Sequence, residues 1–327
     1  MSWKGRTVLV TGAAGFIGSH LVERLAADGA RTRAFIRYTS NGSRGWLDRS
    51  PARNDVEFVM GDLRDRDSLI KAMTGVEAVF HLGALIAIPY SYDAPASYIE
   101  TNVIGTLNVL EAARAENVGR VVHTSTSETY GTAQYVPIDE IHPLQGQSPY
   151  SASKIGADML VQSYCRSFGQ PIVTVRPFNT YGPRQSARAV VPTIVSQALG
   201  AREIRLGNLK PTRDLTYVAD TVAGILALGA CDQAIGATVN LGTGSEISIG
   251  DLAKLVCQVT GRDVPVVTEN QRVRPENSEV QRLVANNAKA RKLSGWEPKT
   301  SLRDGLAATI DWIKQHLESY SLGQYTK

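Results

Sequence analysis

Val8-Leu9-Val10-Thr11-Gly12-Ala13-Ala14-Gly15-Phe16-Ile17-Gly18, near the start of a 327-residue chain, reads as a strand, a glycine turn and the start of a helix. The glycines fall at GxxGxxG spacing. That pattern allows a tight turn, close approach of the backbone to a pyrophosphate, and close packing of helix on strand. A helix beginning near Phe16 points its free N–H groups and positive dipole end at the phosphates. A glycine turn without a ligand is the plainer reading. The strand before it and the helix after it favour a dinucleotide site, with Gly12, Gly15, Phe16, Ile17 and Gly18 against the cofactor.

Outward from this turn, short β-branched runs alternate with helical patterns. Strand candidates are Thr7–Val10, Arg33–Ile36, Val56–Val59, Ala78–His81, Val121–Thr124 and Ile172–Val175. Several are apolar nearly throughout, as strands covered on both faces should be. Between them lie amphipathic segments, one carrying Ile17, Leu21, Val22 and Leu25 and another Ile99, Val103, Leu107 and Leu110. The alternation predicts an α/β fold: a doubly wound parallel sheet of Rossmann type, with right-handed crossovers. After about Pro177 the rhythm breaks and Gly, Pro and Arg become frequent in loops. The expected organisation is a dinucleotide-binding domain over 1–176. A smaller mixed substrate-binding lobe covers 177–327 and is partly interleaved with the first domain.

Composition excludes several classes. With 43% hydrophobic and 20% charged residues the chain is neither disordered nor collagenous. Net charge is +4 (35 Lys+Arg against 31 Asp+Glu), without a basic block of the kind that binds nucleic acid. Cys165, Cys231 and Cys257 stand far apart, with no metal-ligand spacing, and their odd, sparse count suggests a reducing compartment. The apolar run Thr7–Val10 is too short for a signal-peptide core, and no 18-residue apolar stretch follows. A soluble cytoplasmic protein is expected, without metal, nucleic-acid or membrane partner.

Further candidates lie where a doubly wound sheet binds ligands, at the carboxyl ends of its strands. Asp62, in Gly61-Asp62-Leu63-Arg64-Asp65, is placed either to accept from an adenine amino group beside Leu63 or to cap a helix. In His81-Leu82-Gly83-Ala84 the small residues let a ribose lie against the backbone by Leu82 and Ala84. After the second strand stands Arg37, where an acidic residue would bind the ribose 2′-hydroxyl of NAD; an arginine accommodates the 2′-phosphate of NADP. NADP is therefore favoured and NAD remains possible. Tyr150 and Lys154 are spaced i, i+4 on one helix face, where an ammonium lowers a phenol's pKa toward the working pH. A lone YxxxK pair is common. Here it follows a glycine turn and a Ser/Thr-rich strand end, Thr124-Ser125-Thr126-Ser127-Glu128.

These stretches, with Arg176-Pro177-Phe178-Asn179, Arg213-Asp214 and Arg274-Pro275, resemble the extended short-chain dehydrogenase/reductase family along essentially the full chain. Within it the resemblance is to the nucleotide-sugar epimerases and dehydratases. It implies that Tyr150, Lys154 and a hydroxyl at Ser125 or Thr126 form the redox triad, that Pro177 touches the cofactor, and that Asn179, Arg213 and Arg274 hold a sugar nucleotide. Simple 4-epimerases carry a small or apolar residue in place of Glu128. dTDP-glucose 4,6-dehydratases carry Asp-Glu in place of Ser127-Glu128. Ser125–Gly131 is similar to the stretch in the dehydratases and the glucuronate decarboxylases; its Ser-Glu form is closer to GDP-mannose 4,6-dehydratase and leaves Glu128 to handle both protons. Pro89-Tyr90-Ser91-Tyr92, Gly131–Tyr135 and Arg274–Val280 resemble the 4,6-dehydratases of N-acetylglucosamine nucleotides in nonulosonate (legionaminic acid) pathways.

The resemblance implies a redox-neutral lyase reaction yielding a 4-keto-6-deoxy sugar. Tyr150 takes the C4 hydroxyl proton as hydride leaves C4, Thr126 supports the C4 oxygen, and Glu128 removes the acidified C5 proton before water leaves C6. The alternatives are a 4-epimerase or a UDP-glucuronate decarboxylase, the latter needing a further arginine such as Arg184 or Arg188. Ser91 is a candidate to face the sugar. Taken singly, Glu128 could be a structural carboxylate and Arg213 and Arg274 surface charges. Apolar residues on more than one face of Ile99–Ala115 and Tyr150–Cys165 suggest a homodimer.

Overall fold

The computed structural model describes residues 2–273 and 275–320. Its centre is a seven-stranded parallel sheet built from β1 (Thr7–Thr11), β2 (Arg31–Arg37), β3 (Val56–Gly61), β4 (Ala78–His81), β5 (Arg120–Thr124), β6 (Ile172–Pro177) and β7 (Thr238–Leu241). The strand order is β7-β6-β5-β4-β1-β2-β3, so the winding reverses between β1 and β4. Ligand crevices form at that reversal. The glycine turn at 12–15 lies there.

Alternate residues of these strands enter two different cores, which explains why the runs are apolar throughout. Val8, Val10, Ala34, Ile36, Phe80 and Val122 face one side, against α1 (Phe16–Ala27). Leu9, Phe35, Val79, Val121 and Ile172 face the other. There they meet α2 (Arg66–Met73), α3 (Gly105–Ala115) and α4 (Pro149–Phe168).

Two differences from the expected elements matter. The seventh strand, Thr238–Leu241, comes from beyond Pro177 and pairs in parallel with β6. The amphipathic run from Ile99 does not form one regular helix: Ile99–Ile104 is a π-helical turn leading into α3. A π turn rotates the register of the face, so Ile99 ends 47% exposed while Leu110 is buried.

Part of the chain after β6 forms a second core around Ile194, Val195, Leu252, Val256, Leu306 and Ile310, while Val222, Ile225, Leu226 and Trp296 return to the first. Small sheets decorate it, with Asn179–Tyr181 beside Leu215–Tyr217 and Thr212–Arg213 between Ile247–Ser248 and Arg282–Leu283. No helix among the described residues is long and apolar enough to cross a membrane.

Candidate active site

A cleft of about 1390 Å³ runs between the carboxyl edge of the sheet and the second core. At one end is the glycine turn. Gly12 has φ +69°, and a Cβ there would stand 2.8 Å from the Gly83 nitrogen. A Cβ on Gly18 would meet the Gly12 carbonyl. Neither position accepts a side chain, so the loop after β4 closes down on the turn. Gly15 precedes α1 with no side-chain cap, which leaves the first N–H groups of that helix to the cleft. This cradle fits a nicotinamide dinucleotide, with Phe16, Ile17, Leu63, Leu82, Ala84 and Pro177 along its walls.

The loop after β4 is fixed from beneath by buried polar groups. His81 Nε2 lies 3.0 Å from the Thr106 hydroxyl, which itself donates to the Asn102 carbonyl. Nε2 therefore carries the proton, and the Thr11 hydroxyl donates to Nδ1 at 2.8 Å. Burial pushes the His81 pKa well down and keeps the ring neutral. Asn102 holds both the N–H and the C=O of Leu85, at 2.8 and 2.9 Å.

At the adenosine end, Arg37 is exposed and lines the cleft near Asp62. Asp62 is not the cap of the helix that follows; Asp65 is. Arg64 grips the Asp62 carboxylate at 3.0 and 2.7 Å. That hydrogen bond, helped by the charges of Arg64 and Arg37, holds Asp62 below the usual carboxylate range.

The residues expected to carry the chemistry gather at the carboxyl end of β5. Thr126 accepts from the Glu128 N–H at 3.2 Å and so opens the short 3₁₀ turn Ser127–Tyr130. The turn leaves Ser127 and Glu128 on the cleft wall. The capping box of Ser148 and Ser151 starts α4 immediately before Tyr150. Tyr150 thereby comes close to the Thr126 hydroxyl, which acts on its phenol. Burial raises the phenol's pKa, the Thr126 hydroxyl opposes that rise, and the negative charge of Glu128 adds to it. The expected lowering of Tyr150 by Lys154 is thus reversed in this structure, because desolvation dominates. Lys154 Nζ donates instead to the Thr124 carbonyl at 2.8 Å, and burial lowers its pKa to about 8.

Several expected site residues are engaged elsewhere. Of the two candidate triad hydroxyls, Thr126 meets Tyr150, whereas Ser125 donates to Asp158 at 2.7 Å. Ser91 is fully buried and donates to Ile88 within its own helix, so Tyr90 and Pro89 line the cleft in its place. Arg184 reaches the cleft wall, but its guanidinium bonds Glu23 at 2.9 Å and Ser19 at 3.2 Å on α1. That ion pair ties the second core to the glycine-turn helix. Arg274 lies outside the described residues.

At the opposite end, Asn179 and Arg213 face the cleft. The Asn179 Oδ1 is buried without a hydrogen-bond partner, as an atom kept for a ligand would be. Arg213 lies 3.5 Å from Glu279, a cleft residue that sequence reading did not single out. Also missed were Tyr98, whose ring packs edge-on to Tyr150 at 6.2 Å, and the buried group around Asp158. No short motif marks these residues. Among the described residues no cluster of His, Cys, Asp or Glu could hold a metal ion.

Comparison with known proteins gives a consistent picture. The family model for GDP-mannose 4,6 dehydratase matches residues 9–309. A UDP-glucose 4-epimerase of Mycolicibacterium smegmatis is 34% identical, over 94% of this chain and 98% of that protein. A dTDP-glucose 4,6-dehydratase of Streptomyces antibioticus is 33% identical, over 94% of this chain and 92% of that one. The dTDP-glucose 4,6-dehydratase DesIV of Streptomyces venezuelae, solved with NAD bound, superposes with a TM-score of 0.88 at 31% identity, covering 96% of this chain and 99% of its own.

Proposed function

The chain belongs to the nucleotide-sugar dehydratase and epimerase family described by the GDP-mannose 4,6-dehydratase model, and from that we propose that it is a nucleotide-sugar 4,6-dehydratase. One observation carries the choice. Glu128 stands on the cleft wall on a turn capped by Thr126, close enough for its charge to act on the Tyr150 phenol. A carboxylate beside the C4 base is what removal of a C5 proton needs, and a 4-epimerase has no step for it. The decarboxylase reading loses Arg184 as a carboxylate partner, since Glu23 and Ser19 engage it, and is left with Arg188, which lines the cleft.

The bound nicotinamide would supply the redox chemistry, accepting a hydride and giving it back. The protein's own groups move the protons. Tyr150 takes the C4 hydroxyl proton, and the Thr126 hydroxyl donates to the oxygen on which charge builds. Glu128 removes the C5 proton and delivers it to the departing C6 hydroxyl, which leaves as water; recharged with a proton from solvent, Glu128 then protonates C5 as hydride is returned to C6. Asn179 and Arg213 hold the nucleotide's phosphates and ribose at the far end. Incubation of the purified protein with a panel of nucleotide sugars, read by mass spectrometry, tests this. Loss of water is the expected result; an unchanged mass with an altered sugar, or loss of carbon dioxide, would replace the proposal with the epimerase or the decarboxylase.

NADP is the proposed cofactor, because Arg37 presents a guanidinium at the end of β2 where NAD binding wants a carboxylate. Arg37→Ala should weaken NADP binding about 10–100-fold, the loss of one charge-assisted contact, and leave NAD binding nearly unchanged. The check is the ratio of dissociation constants by fluorescence titration, together with identification of the cofactor released on denaturation. Recovery of NAD alone would overturn the preference.

A homodimer is also proposed. Ile99, Ile104 and Met159 lie 43–47% exposed on the π turn and α4. Light scattering at micromolar concentration should give twice the chain mass, and a strictly monomeric mass would count against pairing through these helices.

A further inference from the structure

Behind the reactive centre lies a buried ionic group that the proposed reaction does not use directly. Asp158 is on α4, one turn beyond Lys154, and is 1% exposed. Its carboxylate accepts from Ser125 at 2.7 Å, from His123 Nε2 at 3.1 Å and from Arg176 at 2.7 Å. The Arg176 guanidinium lies 4.9 Å from the centre of the Tyr130 ring, on the turn that carries Glu128. A single carboxylate thus joins β5, β6 and α4 at the level where Lys154, Thr126 and Tyr150 converge.

We propose that Asp158 is a positioning residue for the hydride step. Its carboxylate, ion-paired to Arg176 at 2.7 Å, lies one turn beyond Lys154 on the same helix, and its bonds to Ser125 and His123 hold the strand end whose Thr124 carbonyl receives the Lys154 ammonium. Residues i and i+4 on a helix are neighbours, so carboxylate and ammonium stand on the same face of α4. The Lys154 charge in turn lowers the pKa of His81 on β4 and of His123 on β5, which helps to keep both rings neutral. Burial drives Lys154 toward the neutral amine, and Asp158 is the group that pulls it back. Asp158 itself stays ionised. Burial works against it, but the His123 hydrogen bond and the charges of Arg176 and Lys154 hold it well below the usual carboxylate range. Without Asp158 the amine would give up its proton at lower pH, leaving less of the cation for the Tyr150 pair.

This inference rests on the reading of Tyr150 and Lys154 as that pair, but its first test needs neither substrate nor turnover. In protein labelled at lysine Cε, the Lys154 resonance, assigned by its loss in Lys154→Arg, should titrate near pH 8. Asp158→Asn, close to isosteric, should move that midpoint down by about 1 pH unit, the effect of removing an opposite charge one helical turn away. Asp158→Glu should restore it in large part. In turnover the alkaline limb of kcat should move to lower pH in Asp158→Asn, with KM for the nucleotide sugar little changed. A buried Arg176 left without its partner can prevent folding. The double variant Asp158→Asn/Arg176→Gln, which leaves no lone charge, then gives the same reading with a smaller shift. A Lys154 midpoint that stays at the wild-type value in a folded variant overturns the proposal. Absence of activity on every nucleotide sugar would instead overturn the dehydratase reading and leave the titration standing.

Discussion

Tyr150→Phe will leave the nicotinamide unreduced when substrate is added, with turnover lower by about 10²–10⁴-fold, the usual cost of losing a positioned general base. The change removes only the phenol oxygen. The ring keeps its edge-on packing with Tyr98, so fold and cofactor retention should persist. The Thr126 hydroxyl beside the phenol is untouched by the change. The loss therefore falls on the proton transfer and not on binding, giving a lower kcat with nearly constant KM. Absorbance of reduced nicotinamide in a single turnover, together with cofactor content, is the measurement. A Tyr150→Phe protein that reduces its nicotinamide at the wild-type rate would remove Tyr150 from the proton step.

Glu128→Gln fails one step later. The first oxidation proceeds because Tyr150, Thr126 and Lys154 are untouched, so reduced nicotinamide should appear and persist. C5 proton loss should fall by about 10²–10⁴-fold. With it go the 6-deoxy product and solvent deuterium at C5. The variant carries a second signature. The Glu128 charge raises the Tyr150 phenol's pKa, so its neutralisation should let the phenol ionise at lower pH. Ultraviolet difference titration of the free enzyme reads this without substrate. If Glu128→Gln turns substrate over at the wild-type rate, the carboxylate is structural and the 4-epimerase reading takes precedence.

Arg184, Ser91 and Ser125 mark the limit of reading a motif by residue type. All three carry suitable chemistry and lie in family-like stretches, yet each spends its polar atoms on the protein: Arg184 on Glu23, Ser91 on Ile88 and Ser125 on Asp158. Hydrogen-bond capacity is used up by whatever lies near in space, and spatial neighbours such as Glu23 and Arg184 are far apart along the chain. Asp158 shows the converse. As one acidic residue in a helix it carries no sequence signal, and its importance comes from three elements converging on it in a dry interior, where charge interactions are strong.

What the sequence by itself determined was local and periodic. The strand, glycine turn and helix at 7–27, the doubly apolar strands and the Tyr150–Lys154 face follow from side-chain spacing and the conformational freedom of glycine, properties of neighbouring residues. Tertiary structure decided the rest. It brought Thr238–Leu241 back beside β6, turned Ile99 outward through a π turn and selected Thr126 over Ser125 beside the phenol. It also reversed the expected direction of the Tyr150 pKa shift, because the desolvation of a phenol depends on what the whole fold packs around it.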